Sequence, residues 1–160
     1  MITQEQNETL WKMIKGIKVA MLTSRDGEVL RSRPMHISQS DYSGKLWFFN
    51  RITSHKTTEM QADHAINVSF ADAKDDTYVS LSGMANIVTD QAKIDELWNP
   101  MVAAWFPEGK DGDAVSLIEV TVNEAEYWDV ERGAMRQLLE MARANIQSDM
   151  PDMGENKKFS

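Results

Sequence analysis

The stretch Phe48-Phe49-Asn50-Arg51-Ile52-Thr53-Ser54-His55-Lys56 joins the end of an apolar strand to a capped, cationic helix start. Ser54 is a favoured N-cap residue, so the backbone amides that follow it point outward without helical partners. His55 and Lys56 add hydrogen-bond donors where the helix dipole is positive. We therefore expect this stretch to hold a phosphate beside a flat apolar ring, as in a phosphorylated aromatic cofactor. The alternative is that Ser54 only caps a helix and Lys56 is solvated.

The composition predicts a single domain in a reducing compartment. The chain has 160 residues, a mass of 18.2 kDa and no cysteine, and is long enough for a hydrophobic core. We expect the domain to span residues 1–148 and a flexible tail to span residues 149–160. The polar N-terminus and the lack of an apolar run of ~20 residues favour a cytoplasmic protein without a membrane partner. A formal net charge of −8 and a pI near 4.9 argue against nucleic acid as a partner.

The order of strand and helix patterns predicts a small antiparallel barrel. Runs rich in β-branched and aromatic residues, separated by turn residues, predict seven strands: Ile17–Thr23, Val29–Ile37, Leu46–Asn50, Ala65–Ala71, Thr77–Thr89, Val115–Val122 and Glu126–Val130. The first three should form a meander, and the fifth should bend at Gly83. Helices are predicted after a capping box at Thr3, over Ser54–His64, from an Asp90 cap to Trp98, over Pro100–Phe106 and over Arg132–Gln147. Because the βαβ alternation is missing, a parallel doubly wound sheet is excluded.

Two further segments are candidates for the site. Arg31 and Arg33 alternate with Ser32 and Pro34 in the second strand, so the two guanidinium groups share one face. Because like charges repel, we expect an anion or carboxylates between them. A charged edge strand explains the same pattern without a ligand. The segment that contains Trp105 and Phe106 places large aromatic rings before a turn, where they could cover a flat ring, insert into a partner subunit or pack in the core.

The standard catalytic patterns are absent from the sequence. There is no cysteine nucleophile, no Gly-x-Ser-x-Gly or Walker-type loop, and His36, His55 and His64 lack the spacing of a zinc-binding helix. No catalytic residue and no metal site is therefore predicted from the residues alone.

The order of short motifs along the chain resembles that of the general stress protein 26 family. These motifs are Arg33-Pro34-Met35, Trp47-Phe48-Phe49, Ser54-His55-Lys56, Val79 to Ala85, Trp105-Phe106-Pro107 and Glu126 to Asp129. That family belongs to the pyridoxamine 5′-phosphate oxidase-like FMN-binding split-barrel superfamily. The resemblance implies a mainly β fold with peripheral helices, a six- to seven-stranded antiparallel split barrel. It also implies a homodimer with flavin at the subunit interface.

The same resemblance implies which residues hold the flavin. Arg33, Pro34 and Met35 would lie along the isoalloxazine ring, and Trp105 would approach it from the partner chain. The ribityl phosphate would be held by Phe48, Phe49, Asn50, Ser54, His55 and Lys56. The chain lacks the C-terminal Arg-x-His-x-Arg stretch that true pyridoxamine-phosphate oxidases use for substrate, which argues against vitamin B6 oxidation.

Three functions are compatible with these features. The leading interpretation is a stress-related, FMN-dependent oxidoreductase whose flavin carries out the redox chemistry with a small-molecule partner. The second is a non-catalytic module for flavin binding, storage or regulation. The third keeps the barrel and changes the ligand, to FAD, deazaflavin or haem.

Overall fold

The described part of the protein, a computed structural model, comprises residues 1–52, 64–129 and 155–160. Within it, seven strands form one antiparallel sheet. They are β1 (Val19–Asp26), β2 (Val29–His36), β3 (Lys45–Arg51), β4 (Ala65–Asp72), β5 (Thr77–Val88), β6 (Val115–Asp129) and β7 (Glu155–Phe159). Three helices accompany the sheet: α1 (Gln4–Ile14), α2 (Gln91–Leu97) and α3 (Pro100–Trp105). None of the described helices combines the length and apolarity needed to cross a membrane.

Local sequence signals account for where the helices begin. Thr3 caps α1 with the predicted capping box, in which the Gln6 amide donates to Thr3 Oγ1 and the Thr3 amide donates to Gln6 Oε1. Asp90 caps α2, as predicted, and Asn99 caps α3 by accepting from the Val102 amide at 3.0 Å. The predicted helices over Ser54–His64 and Arg132–Gln147 fall outside the described residues, apart from His64 itself.

The strand order is β2-β1-β4-β5-β6-β3. Strand β7 pairs with the last part of β6, from Ala125 to Asp129, beyond the part that pairs with β3. The predicted meander of the first three strands is therefore wrong: β1 and β2 form a hairpin, whereas β3 pairs with β6. This order leaves β2 and β3 at its two ends, and they share no ladder. The result is an open, split antiparallel barrel of the predicted class.

The long strand β6 corrects two further predictions. Val115–Val122 and Glu126–Val130 were expected as separate strands, but β6 is continuous because a register shift beside Ser82 and Gly83 absorbs an extra residue. The register shift lies beside Gly83, where β5 was predicted to bend, and a Cβ there would lie 2.1 Å from the Thr121 carbonyl oxygen. The predicted flexible tail does not extend through β7, whose Phe159 ring packs against Tyr127 with centroids 5.7 Å apart.

Alternation along the strands produces two hydrophobic cores. The main core fills the inner face of the sheet, where Leu22, Val68, Leu81 and Ala125 form one buried cross-strand row. The second core lies between the helices α2 and α3 and the sheet, where β6 contributes buried residues and β3 contributes partly buried aromatic rings. It contains Ile94, Leu97, Val102, Phe106, Val115 and Leu117. This second core fixes α3 beside the end of β3.

Candidate functional site

A cavity of about 320 Å³ lies between β2 and β3, the two strands at the ends of the sheet order. Helix α3 forms its third side. The volume is at the small end of the range, roughly 300–1,000 Å³, that is typical of ligand sites. The opening of the barrel thus creates the cavity, because a ladder between β2 and β3 would close the space.

The cavity combines apolar walls with a few polar groups. Its lining is made by Pro34, Met35, His36, Ser38, Phe49, Asn50, Arg51, Met101, Val102, Trp105 and Phe106. Aromatic and thioether side chains suit the faces of a flat ring, and the amide, hydroxyl, imidazole and guanidinium groups suit its hydrogen-bonding edge. The described lining contains no carboxylate.

The cavity brings together part of the residue set proposed from the sequence. Pro34, Met35, Phe49, Asn50 and Trp105 all line it. These residues come from β2, β3 and α3, so the fold assembles one site from three distant segments. Ser54, His55 and Lys56 lie outside the described residues, and their proposed contact with a phosphate stays a prediction.

Two proposed residues do not line the cavity. Phe48 is fully buried in the main core, because it alternates with Phe49 along β3. Arg33 donates from Nη1 to the buried Ser24 Oγ at 2.9 Å, and Arg31 pairs with Asp26 at 3.2 Å. The two arginines therefore have separate protein partners, and the geometry does not require an anion between them.

Asn50 is a buried polar residue of the cavity lining. It is 2% exposed, and its Nδ2 donates to Ser116 Oγ at 3.4 Å. The Ser116 hydroxyl in turn donates to the Asn50 backbone carbonyl at 3.1 Å. Hydrogen bonds to Ser116 therefore restrict the orientation of this buried residue.

The neighbouring rings of Trp105 and Phe106 have different roles. Phe106 is 6% exposed, and its ring centroid lies 6.2 Å from that of Phe49 and 6.1 Å from that of Trp98. Trp105 is 69% exposed, although it also lines the cavity. Phe106 therefore belongs to the second core, whereas most of the Trp105 side chain is available to a ligand or a partner.

Sequence reasoning did not place His36, Ser38, Arg51, Met101 and Val102 at the site. Met101 is 54% exposed and lies four positions before Trp105, so helical spacing could have identified it. No local pattern would have identified His36, the last residue of β2, or Ser38, which lies in the connection after β2. That connection is fastened by Gln39, whose side-chain amide donates to the Lys45 carbonyl and accepts from the Trp47 amide.

Arg51 links β3 to the turn after α3. Its Nη1 donates to Glu108 Oε1 at 2.6 Å, and its Nη2 donates to the Trp105 carbonyl at 2.8 Å. The hydrogen bond from Arg51 lowers the pKa of the exposed Glu108 carboxyl below its ordinary value. The guanidinium carbon also lies 5.0 Å from the centroid of the Phe106 ring.

A second cavity, of about 410 Å³, lies near the bulge in β5 and β6. Its lining includes Thr23, Asn67, Ser82 and Glu124, and the Asn67 amide is already bonded to Ser80 and Ser82. None of the residues proposed from the sequence lines it. The smaller cavity is therefore the better candidate for the site.

Comparisons with known proteins agree with this architecture. Residues 5–152 match the family model "Pyridoxamine 5'-phosphate oxidase like". The chain belongs to the pyridoxamine 5′-phosphate oxidase-like family.

Protein bli-3 of Neurospora crassa is 36% identical to this chain over 121 residues. That match covers 69% of this chain and 58% of the Neurospora protein, so the chain accounts for little more than half of that relative's length.

Two solved structures connect the fold with stress proteins. A protein from Jannaschia sp. CCS1, provisionally named general stress protein 26, has a TM-score of 0.79 and 27% identity, with 96% of each chain covered. The general stress FMN/FAD binding protein of Xanthomonas citri has a TM-score of 0.71 and 30% identity. That match covers 82% of this chain and 93% of the Xanthomonas chain. The resemblance to the general stress protein 26 group is thereby confirmed.

Proposed function

We propose that this protein binds FMN in the cavity between β2 and β3 and acts as a stress-related, flavin-dependent oxidoreductase. The observation that carries the proposal is the cavity itself. Met35, Phe49 and Trp105 supply apolar lining, and Asn50 adds a buried polar residue near the end of the strand that continues toward Ser54 and Lys56. The Xanthomonas relative, which is named as an FMN/FAD binding protein, supports a flavin as the ligand.

The residues present fit a flavin. The thioether of Met35 and the indole of Trp105 offer surfaces for the faces of a tricyclic ring. The Ser38 hydroxyl offers a hydrogen bond to its polar edge, and the sequence proposes the Ser54 cap and Lys56 for the phosphate. A bound flavin would supply hydride or electron transfer, which protein side chains cannot perform.

The chain's own contribution is then binding, orientation and exclusion of water. Asn50 keeps its amide in one orientation through Ser116, and the second core holds Phe49 against Phe106. His36 supplies the imidazole of the described lining, a group that donates or accepts a hydrogen bond near the ligand.

A flavin carrier or regulatory module is the second candidate. The absence of a carboxylate from the described lining favours it, because that lining offers little for general acid–base catalysis. The deciding experiment compares oxidation of a nicotinamide donor by the FMN-loaded protein with oxidation by the same concentration of free FMN. A faster rate with the protein supports the oxidoreductase; an equal or slower rate supports the carrier.

We also propose that the protein is a cytoplasmic homodimer with the site at the subunit interface. Met101 and Trp105 form an exposed apolar surface on α3 at the mouth of the cavity, and such surfaces are typical of interaction sites. Sedimentation of the FMN-loaded protein tests this. A dimer that dissociates in the Met101→Asp variant supports the interface, and a monomer with tightly bound FMN refutes it.

A further inference from the structure

Arg51 lies at the end of β3, where its side chain could either bind a ligand anion or hold another part of the protein. The sequence places it close to Arg31, Arg33 and Lys56, a local excess of positive charge in an acidic chain. Its position in the cavity lining makes a phosphate contact an obvious interpretation. The contacts made by its guanidinium group indicate a different role.

The guanidinium group joins two acceptors of one turn. Nη1 reaches the Glu108 carboxylate at 2.6 Å and Nη2 reaches the Trp105 carbonyl at 2.8 Å. The planar guanidinium fixes the direction of its donors, so satisfying both acceptors restricts the turn to one position against β3. We name the contacts among Arg51, Trp105 and Glu108 the Arg51 clasp.

The local sequence shapes the turn for this contact. Pro107 fits the second position of a β-turn, and the Gly109 amide closes the turn by donating to the Phe106 carbonyl at 2.9 Å. Gly109 has a φ of 88°, a conformation that favours glycine. Glu108 is thereby held at the third position of the turn, within reach of Arg51.

The clasp restricts the position of the turn more than its ion pair stabilises the fold. The Arg51 and Glu108 side chains are 42% and 35% exposed, so water screens their attraction and the ion pair alone adds little stability. Trp105, by contrast, is largely exposed and ends a helix of six residues. A fixed backbone beneath its indole reduces the conformational entropy that ligand binding would otherwise cost.

We propose that Arg51 is a positioning residue that fixes Trp105 at the mouth of the cavity through the clasp and does not bind the flavin phosphate. This inference rests on the proposed flavin function. It predicts that Arg51 contributes equally to ligands with and without a phosphate, because its effect reaches the ligand through the Trp105 ring.

The test compares FMN with riboflavin in the wild-type protein and its variants. Arg51→Gln should raise the Kd for both ligands by the same factor, about 5-fold for the loss of a hydrogen-bonded restraint. Arg51→Lys should not restore affinity, because an ammonium group cannot reproduce the fork. Lys45→Gln is the matched control. Lys45 lies on β3, like Arg51, but outside the cavity lining, so breaking its ion pair with Glu119 of β6 should leave both Kd values unchanged.

A double-mutant cycle tests whether Arg51 acts through Trp105. In the Trp105→Ala background, Arg51→Gln should have no further effect on either Kd. A full effect in that background would overturn the positioning role. Loss of FMN affinity without loss of riboflavin affinity would make Arg51 a phosphate ligand and would also overturn it.

Amide hydrogen exchange in flavin-free protein separates the clasp from the flavin function. Arg51→Gln should speed exchange at the Phe106 and Gly109 amides, which bond to the Ala103 and Phe106 carbonyls within this segment. Unchanged exchange would overturn the clasp. Wild-type protein that binds neither flavin would overturn the proposed function, and with it the ligand role of Arg51, whatever the exchange result.

Discussion

The adjacent residues Trp105 and Phe106 should respond in opposite ways to truncation. Phe106 is 6% exposed and packs against Phe49 and Trp98, so Phe106→Ala leaves a cavity in the second core. Such truncations cost about 3–5 kcal/mol, which for a chain of 160 residues lowers Tm by roughly 6–20 °C. Trp105 is 69% exposed, so Trp105→Ala should cost less than about 1 kcal/mol of stability.

The effect on ligand affinity should be concentrated at Trp105. A flat ring packed against the indole would lose an aromatic contact of about 0.5–1.5 kcal/mol, or roughly a 2- to 10-fold increase in Kd. Thermal unfolding and titration by flavin fluorescence quenching measure the two quantities on the same preparations. Trp128→Ala is the control, since Trp128 is 39% exposed and lies on β6 outside the cavity lining. Unchanged flavin affinity in Trp105→Ala, or equal destabilisation by the two truncations, would refute the assigned roles.

Three other perturbations test different parts of the structure. Gly83→Ala should destabilise the barrel by about 3 kcal/mol, because its Cβ would meet the Thr121 carbonyl oxygen at 2.1 Å; Gly16→Ala, with nothing within 4 Å, should be nearly neutral in the same denaturant titration. Lys56→Ala should weaken FMN more than riboflavin, by ~1.5–3 kcal/mol for a lost charge-assisted bond, and equal losses in parallel titrations would remove the phosphate assignment. The hydrogen bond from Arg51 holds the pKa of Glu108 below its ordinary value. The clasp should therefore stabilise the folded protein at pH values above the unfolded-state pKa of Glu108, and this stabilisation should be lost as the pH falls through the folded-state pKa. NMR titration of the Glu108 carboxyl carbon should therefore show its pKa rise in Arg51→Gln, and an unchanged pKa would contradict the contact.

The sequence was most informative where structure depends on neighbouring residues. The capping box at Thr3 and the Asp90 cap each follow from side chains within a few positions, and each is present. The pairing of β3 with β6 joins segments far apart in the chain, so no local pattern reveals it. The turn residues after β2 predicted a meander because strands that are consecutive in the sequence usually pair with each other.

The two errors near the C-terminus have a common physical cause. Asn123 and Glu124 are polar and exposed, which is typical of a turn, yet the bulge keeps β6 intact through them. β7 contains two lysines and has little intrinsic strand preference. It forms because β6 offers a free edge beyond β3 and because Phe159 packs on Tyr127. Tertiary contacts override local preference in both places.

The sequence predicted several apolar residues of the candidate site but not all of the residues that line the cavity. Met35, Phe49 and Trp105 were found from motifs and from their resemblance to a flavoprotein family, and all three line the cavity. His36 and Arg51 join them only because β2 and β3 are the ends of the sheet order. Arg33 was assigned to the site from the family resemblance and from alternation in β2, and neither could foresee its hydrogen bond to Ser24.

The visible absorption spectrum of freshly purified protein, followed by titration with FMN, FAD and riboflavin, tests the central claim most directly. A flavin spectrum, or saturable quenching that is strongest for FMN and weakened by Trp105→Ala, is the result predicted for a flavin site between β2 and β3. A colourless protein that binds none of the three would contradict that site while leaving the split-barrel fold intact.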